Sequence, residues 1–129
     1  MDEKSRVLLI EDDLFHRELL AEGLKDYYNY HVVAAEDLEH AEELLRELTP
    51  DLIVLDCVLG DYRFESMDWA EGLLRYRPEF SETPILFVTA FYNEMEERAK
   101  RIQRSAILAK PFTFDGVTLK MRELLASKA

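Results

Sequence analysis

Residues 6–13, RVLLIEDD, join a short apolar run to three consecutive carboxylates. Four apolar residues follow one another at 7–10, and a helix-like pattern begins only after the acids. A run this short, without alternating polar residues, is typical of a strand that is buried on both faces. The stretch therefore predicts a buried strand whose carboxyl end carries Glu11, Asp12 and Asp13.

The same order of strand and then helix continues along the chain. Apolar, strand-like runs occupy residues 6–10, 31–35, 49–56, 84–90 and 106–109, and helix-like patterns occupy residues 14–27, 37–48, 67–77, 93–104 and 114–128. The apolar spacing of the first helix predicts one buried stripe, formed by Phe15, Leu19, Leu20 and Leu24. Five rounds of strand and helix predict an α/β protein, with helices on both faces of a doubly wound parallel sheet.

Length and charge limit the classes of function. The chain has 129 residues, which fits one domain over residues 1–129, and its formal net charge is −11. This acidity argues against direct binding of nucleic acid or of an anionic membrane, because phosphate contacts need clustered Lys and Arg. We expect a cytoplasmic protein, since the N-terminus is charged and no apolar run approaches the about 20 residues of a membrane helix. The single cysteine, Cys57, is expected to be a small buried apolar residue.

Polar residues stand at or directly after the carboxyl ends of four of the five predicted strands. These are Glu11, Asp12 and Asp13 at the first strand, Asp56 at the third, Thr89 at the fourth and Lys110 at the fifth. In an open parallel sheet, functional groups collect beyond the carboxyl ends of the strands, near the point where the strand order reverses. We therefore expect carboxylates, a hydroxyl and an ammonium group to share one crevice.

The acids in this crevice predict a metal site and phosphoryl chemistry. Crowded carboxylates raise one another's pKa unless a cation lies among them, and oxygen ligands at this density suit Mg²⁺. A carboxylate beside Mg²⁺ can attack phosphorus, and the metal neutralises charge on the transferred oxygens. Lys110 would supply a second positive charge, Thr89 a hydrogen bond to a phosphoryl oxygen, and the small Ala90 room for the incoming group.

Four segments together carry a family resemblance over nearly the whole chain. LLIEDD, PDLIVLD, PILFVTA and AKPF, in this order and spacing, resemble the receiver domain of two-component response regulators. The resemblance implies a flavodoxin-like fold with a five-stranded sheet in the order 2-1-3-4-5 and five helices. It also implies a phosphorylation-dependent signalling switch in a two-component or phosphorelay pathway, rather than an enzyme with an external substrate.

The resemblance assigns a role to each motif residue. It implies that Glu11, Asp12, Asp56 and the carbonyl of Val58 hold Mg²⁺, that Asp56 accepts the phosphoryl group from a histidine kinase or phosphotransfer protein, and that Thr89 and Lys110 contact that group. It further implies a cis bond between Lys110 and Pro111. For Asp13, which precedes a helix, an N-cap is preferred over metal ligation.

Two segments depart from the family pattern. The loop in residues 59–68 is longer than usual and lacks the usual proline. Within it, Gly60–Asp61 predicts a turn. The charged and aromatic residues 62–65 could cover the site or recognise a partner. On the fifth strand, Ile107 stands where many receivers have a Tyr or Phe coupled to the threonine. Signalling would then use backbone shifts near Thr89, or Phe91 or Tyr92 would take part.

Two apolar positions predict a long-lived phosphorylated state. Val58 and Phe91 stand two residues after Asp56 and Thr89, at the positions that flank the path of the attacking water in the family. Neither side chain can orient water as an amide or carboxylate could. We therefore expect slow self-dephosphorylation.

The resulting hypothesis is a switch read by a downstream protein. Phosphorylation of Asp56 would rearrange the face made by the fourth helix, fifth strand and fifth helix, in a monomer or a phosphorylation-dependent dimer. The chain would act as a stand-alone receiver or as a fragment of a longer protein. Two alternatives stay open: a degenerate receiver that binds partners without phosphorylation, and, ranked low, a Mg²⁺-dependent phosphohydrolase, which would need an acid where Val58 stands.

Overall fold

The computed structural model describes residues 4–59 and 62–126. The strands are β1 (Arg6–Ile10), β2 (His31–Ala35), β3 (Leu52–Asp56), β4 (Ile85–Thr89) and β5 (Ser105–Ala109). The helices are α1 (Leu14–Tyr28), α2 (Leu38–Leu45), α3 (Glu65–Tyr76), α4 (Tyr92–Lys100) and α5 (Phe114–Ala126), with a short 3₁₀ turn at Pro78–Phe80. The predicted turn at Gly60–Asp61 lies outside the described residues.

The sheet confirms the predicted topology. Its strands are parallel and lie in the order β2-β1-β3-β4-β5. In the register, Ile10 pairs with Leu55 and Asp56 pairs with Val88. The direction in which the sheet is built reverses between β1 and β3. From β1 the chain first adds β2 on one side and then crosses to add β3, β4 and β5 on the other. Ligands of such sheets bind in the crevice at this reversal.

Two apolar layers cover the sheet, one on each face. Val7 and Leu9 of β1 belong to the layer under α1 and α5, whereas Leu8 and Ile10 belong to the layer under α2, α3 and α4. Alternate residues of a strand point to opposite faces, so a strand covered on both faces must be apolar throughout. This explains the unbroken apolar runs of the sequence.

The predicted stripe of α1 is only half correct. Leu20 and Leu24 are buried, but Phe15 is 69% exposed and Leu19 is 49% exposed. The buried face of α1 instead includes Gly23, where an added Cβ would overlap the ring of Phe114 of α5. Helical spacing alone could not tell that the stripe extends past the covered part of the sheet.

Several helix ends differ from the predicted bounds. The third helix begins at Glu65 rather than at 67, because the loop before it is shorter than the sequence suggested. The fourth helix ends at Lys100 rather than at 104, and Arg104 has a positive φ of 56° immediately before β5. The chain needs these residues to turn back towards the sheet. Among the described residues, no helix has the length and apolarity needed to cross a bilayer.

Candidate functional site

Three carboxylates meet at the carboxyl ends of β1 and β3. Oxygens of Glu11, Asp12 and Asp56 lie within 4.8 Å of one another. Glu11 is 7% exposed and Asp56 is 6% exposed, whereas Asp12 faces solvent. The strands are paired neighbours that end at the same level, so the acid after β1 comes to lie beside the acid that ends β3. The predicted meeting of these acids is thus confirmed as geometry.

Lys110 joins the two buried acids. Its Nζ donates to Glu11 Oε1 at 3.1 Å and to Asp56 Oδ2 at 3.2 Å. Its backbone N–H donates to the carbonyl of Thr89 at 2.8 Å, which fixes the end of β5 against β4. The peptide bond between Lys110 and Pro111 is cis, as the resemblance implied. One ammonium group therefore bridges two carboxylates that are 45 positions apart in sequence.

The charge balance of this pocket leaves one acid strongly perturbed. Burial, then the hydrogen bond and the charge of Asp56, raise the pKa of Glu11 from its ordinary 4.5 to about 7. Burial acts to lower the pKa of Lys110, but the charges of Asp56 and Glu11 outweigh it and leave that pKa raised. A further cation would relieve the crowding of the acids. An all-oxygen set of carboxylates suits a hard divalent ion, so the residues present fit Mg²⁺.

Backbone N–H groups further hold the acids in place. The N–H of Val58 donates to Asp56 Oδ1 at 3.0 Å, and the N–H of Asp13 donates to Glu11 Oε2 at 3.2 Å. Asp13 itself caps α1 by accepting the N–H of His16 at 2.9 Å, and this bond lowers its pKa. The N-cap prediction for Asp13 is therefore confirmed.

Cys57, next to Asp56, is closed to solvent. The side chain is fully buried in the layer under α2, α3 and α4, and its thiol is free. Burial, with a smaller effect from the charge of Asp56, raises the pKa of this thiol to about 12. Cys57 thus behaves as the small apolar residue that the sequence predicted.

Thr89 ends β4 one residue beyond the partner of Asp56. The pairing of Asp56 with Val88 places Thr89 at the rim of the crevice. Its hydroxyl is fully buried, accepts the N–H of Phe91 at 2.8 Å and donates to the sulfur of Met95 at 3.3 Å. Sequence reasoning missed Met95, because a methionine at this place in an amphipathic helix is typical of ordinary core packing.

The loop before α3 is tied to α4. Arg63 is ion-paired with Glu94, and its guanidinium carbon lies 4.2 Å from the centre of the Phe91 ring. A second link joins α4 to α3 itself: Arg98 of α4 is ion-paired with two acids of α3, Asp68 and Glu71, the latter at 2.9 Å. The sequence predicted only that the loop could cover the site or contact a partner. The charges that anchor it are far apart in sequence, so no local pattern showed the pairing.

An apolar cavity opens beside Lys110. It measures about 370 Å³ and is lined by Leu19 and Leu20 of α1 and by Phe112 and Phe114 beyond the cis bond, with Glu11 and Lys110 at its polar end. The exposed Phe15 lies on the same helix. An apolar surface thus continues directly into the acidic crevice. This apolar surface was not predicted from the sequence, because Phe15 and Leu19 have the spacing of core residues.

Comparison with known proteins gives consistent matches. A sequence profile of the response regulator receiver domain matches residues 7–122. The chain is 35% identical over 127 residues to hybrid signal transduction histidine kinase D of Dictyostelium discoideum, covering 97% of this chain and 8% of that protein. It is 31% identical over 122 residues to response regulator MprA of Mycolicibacterium vanbaalenii, covering 93% of this chain and 50% of that protein.

The fold also matches a solved structure. Chemotaxis response regulator CheY4 of Vibrio cholerae superposes with a TM-score of 0.80 at 21% identity, over 95% of this chain and 99% of that chain. At this identity, the likeness supports the fold. The chain spans half or less of the length of the two relatives above, so their complete activities extend beyond the part that is shared.

Proposed function

The chain belongs to the response regulator receiver domain family, and on this basis we propose that it is a phosphoacceptor switch. The proposed reaction transfers a phosphoryl group to Asp56 from the phosphohistidine of a histidine kinase or phosphotransfer protein. The single observation that carries the proposal is the contact of Lys110 with both Glu11 and Asp56. This contact combines a buried acceptor carboxylate, a second acid and a fixed positive charge in one crevice.

The metal assigned to this crevice is Mg²⁺. Glu11, Asp12 and Asp56 would hold it through carboxylate oxygens, with the carbonyl of Val58 as a further ligand. When bound, Mg²⁺ neutralises negative charge on the phosphoryl oxygens and on the acids around them. The support for this assignment is the grouping of three carboxylates and the raised pKa of Glu11, which a divalent cation would lower.

The protein's own residues account for the remaining steps. A carboxylate oxygen of Asp56 attacks phosphorus, and the bond from phosphorus to the histidine nitrogen breaks. Lys110, already hydrogen-bonded to Asp56, pairs with a transferred oxygen, and Thr89 donates its hydroxyl to another. The small side chain of Ala90, directly after β4, leaves space for the group.

Phosphorylation would then change the charge and contacts of the rim. A phosphoryl group carries about 1.5 to 2 negative charges and adds acceptor oxygens, which draw Thr89 and Lys110 towards Asp56. Because Thr89 precedes α4 and Lys110 follows β5, their movement would reach the α4–β5–α5 face. We propose that a downstream protein reads this face, with the chain as a monomer or as a phosphorylation-dependent dimer.

The phosphodonor has a suitable docking surface next to the site. The apolar cavity beside Lys110, with the exposed Phe15 and Leu19 on α1, would seat an apolar helix of a kinase or phosphotransfer protein. Burying such side chains supplies the main driving force for association. Direct binding of nucleic acid or of an anionic membrane is not part of the proposal, given the net charge of −11.

Two other functions are ranked lower. A degenerate receiver, which binds partners without phosphorylation, is favoured by Ile107 in place of an aromatic residue and by the unusual loop in residues 59–68. The complete set of acids, Thr89 and Lys110 argues against it. A phosphohydrolase would need a second acid near the nucleophile for the leaving group, and Val58 occupies that position.

The proposed function is tested by looking for covalent phosphorylation of the chain. The purified chain is incubated with acetyl phosphate and MgCl₂, and its intact mass is measured by electrospray mass spectrometry. We expect the gain of one phosphoryl group, which disappears with EDTA and in Asp56→Asn. Asp115→Asn, which removes an exposed acid on α5 that is hydrogen-bonded to Tyr28, should still gain the group. An unmodified wild-type chain after saturating treatment would refute the switch and leave the degenerate receiver.

A further inference from the structure

The hydroxyl of Thr89 has a partner on α4. It donates to the sulfur of Met95 at 3.3 Å and accepts the N–H of Phe91 at 2.8 Å. The N–H of Met95 in turn donates to the carbonyl of Phe91 at 3.2 Å in the first turn of the helix. Thr89, Phe91 and Met95 therefore form a closed set of contacts between the end of β4 and the start of α4.

The Thr89–Met95 contact is buried and weak. Both side chains are fully buried, and Met95 belongs to the apolar layer under α2, α3 and α4. A thioether is a weak hydrogen-bond acceptor, so the hydroxyl gives up little when it turns to a better one. A phosphoryl oxygen on Asp56 would be a much stronger, charged acceptor. The hydroxyl thus has a weak partner on α4 and, after phosphorylation, a strong one in the crevice.

Ile107 of β5 cannot serve as a second hydrogen-bond partner for the Thr89 hydroxyl. Ile107 pairs with Phe87 across β4 and β5 and packs half-buried against the same apolar layer as Met95. Its side chain has no polar atom, so it can follow Thr89 only by filling space. The hydrogen bond that the Thr89 hydroxyl donates therefore runs to α4, whereas its backbone carbonyl accepts from Lys110.

We propose that Met95 is the positioning residue that sets the balance between two positions of Thr89. With the hydroxyl on the Met95 sulfur, α4 is held in the arrangement described above. With the hydroxyl on a phosphoryl oxygen, that bond is lost, and the first turn of α4 is free to repack. This inference rests on the proposed phosphorylation of Asp56 and names the element through which that event is transmitted.

Two substitutions of similar size separate this role from simple packing. Met95→Leu removes the acceptor and leaves the hydroxyl without its partner, so the phosphorylated-like position becomes easier to reach. Met95→Gln supplies a stronger acceptor and holds the hydroxyl on α4. The apparent affinity for beryllofluoride, a phosphoryl mimic, is measured with Mg²⁺ by two-dimensional NMR. We expect a rise of about three- to tenfold for Met95→Leu and a fall of about the same size for Met95→Gln.

The matched control is the same pair of substitutions in a Thr89→Ala background. Without the hydroxyl, both changes should lose their effect on beryllofluoride affinity, whereas a packing effect would persist. Shifts in the same direction for Leu and Gln, or shifts that survive in Thr89→Ala, would overturn the inference. If Met95→Gln does not fold, Met95→Leu in the two backgrounds decides alone. A wild-type chain that ignores beryllofluoride would instead overturn the proposed function.

Discussion

The protonation of Glu11 depends strongly on its surroundings in the fold. In the unfolded chain its carboxyl ionises near 4.5, whereas burial and the neighbouring Asp56 raise its pKa in the metal-free folded chain to about 7. Between these values the folded state binds the extra proton, so the contribution of Glu11 to stability falls as the pH rises from about 4.5 to about 7. Above this window the metal-free protein holds a buried, poorly compensated charge.

This shift predicts a pH-dependent effect of magnesium. A divalent ion competes with the Glu11 proton at about pH 6 but finds an ionised carboxylate at about pH 8, so MgCl₂ should raise the midpoint of thermal unfolding more at the higher pH. Circular dichroism melts in MgCl₂ and in KCl of equal ionic strength measure the difference. Glu11→Gln should remove most of the pH dependence. Equal Mg²⁺ shifts at both pH values in wild type would contradict the prediction.

Phe91 is predicted to protect the phosphorylated state. It stands two residues after Thr89, half-buried, with Arg63 stacked on its ring. In Phe91→Glu a carboxylate could orient the attacking water, and we expect the phosphoryl group to be lost about tenfold faster or more. The measurement is decay of the phosphorylated mass after removal of the donor. Phe91→Leu, which stays apolar, should decay at nearly the wild-type rate; a rapid wild-type decay would disprove the protection.

The identity of the site residues was predictable, but their partners were only partly so. Acids after β1 and β3 must meet once the strands are parallel neighbours, and Lys110 follows from the same topology. The Thr89–Met95 contact did not follow, because it depends on the rotation of α4 about its axis. Sequence spacing gives the apolar face of a helix but not which buried side chain touches a given hydroxyl.

At the scale of elements, α1 and α5 pack together at a notch, which is the space left on α1 by the missing side chain of Gly23. Gly23 lets the ring of Phe114 approach the backbone of α1, and Tyr28 stacks on the same ring with centres 6.3 Å apart. Tyr28 also donates its hydroxyl to Asp115 at 2.9 Å. The start of α5, and with it the segment after Lys110, is therefore fixed by α1.

Gly23→Ala should loosen this contact. The new methyl group overlaps the Phe114 ring, and we expect the free energy of unfolding to fall by about 1–3 kcal/mol, as for an overpacked core. Gly72→Ala on α3 is the matched control, since nothing lies within 4 Å of its added Cβ, and there the better helix propensity should raise stability by about 0.5–1 kcal/mol. Urea titration followed by circular dichroism measures both. Equal, small effects at the two positions would show that the notch does not constrain α1 and α5.

Existence and order of the elements were readable from sequence, but several ends were not. Each strand is a continuous apolar run, so all five were found with small errors in length. Helix ends depend on local backbone conformation, such as the positive φ of Arg104. The charged residues around Arg104 carry no pattern that predicts this conformation. The tie between the loop before α3 and α4 depends on ion pairs such as Arg63 with Glu94, and these form only after folding.

At the scale of the whole molecule, the sheet separates the acidic residues of the site from the apolar core. β3 and β4 are buried at every residue, and the polar residues of the candidate site lie at the carboxyl ends of the strands. A doubly covered sheet could be predicted because only such burial permits runs without alternation. What could not be predicted is the overhang of α1, where Phe15 and Leu19 leave the core and face solvent.

The enclosed thiol of Cys57 has a practical consequence for following this protein. The thiolate is the nucleophile that attacks a thiol-reactive dye, and a fully buried sulfur with a pKa of about 12 offers almost no thiolate at neutral pH. The side chain of Glu97 on α4 is 83% exposed. A cysteine introduced at this position would therefore be labelled by a fluorophore while Cys57 stays unlabelled. Fluorescence from that helix can then be recorded in real time without first removing the native cysteine.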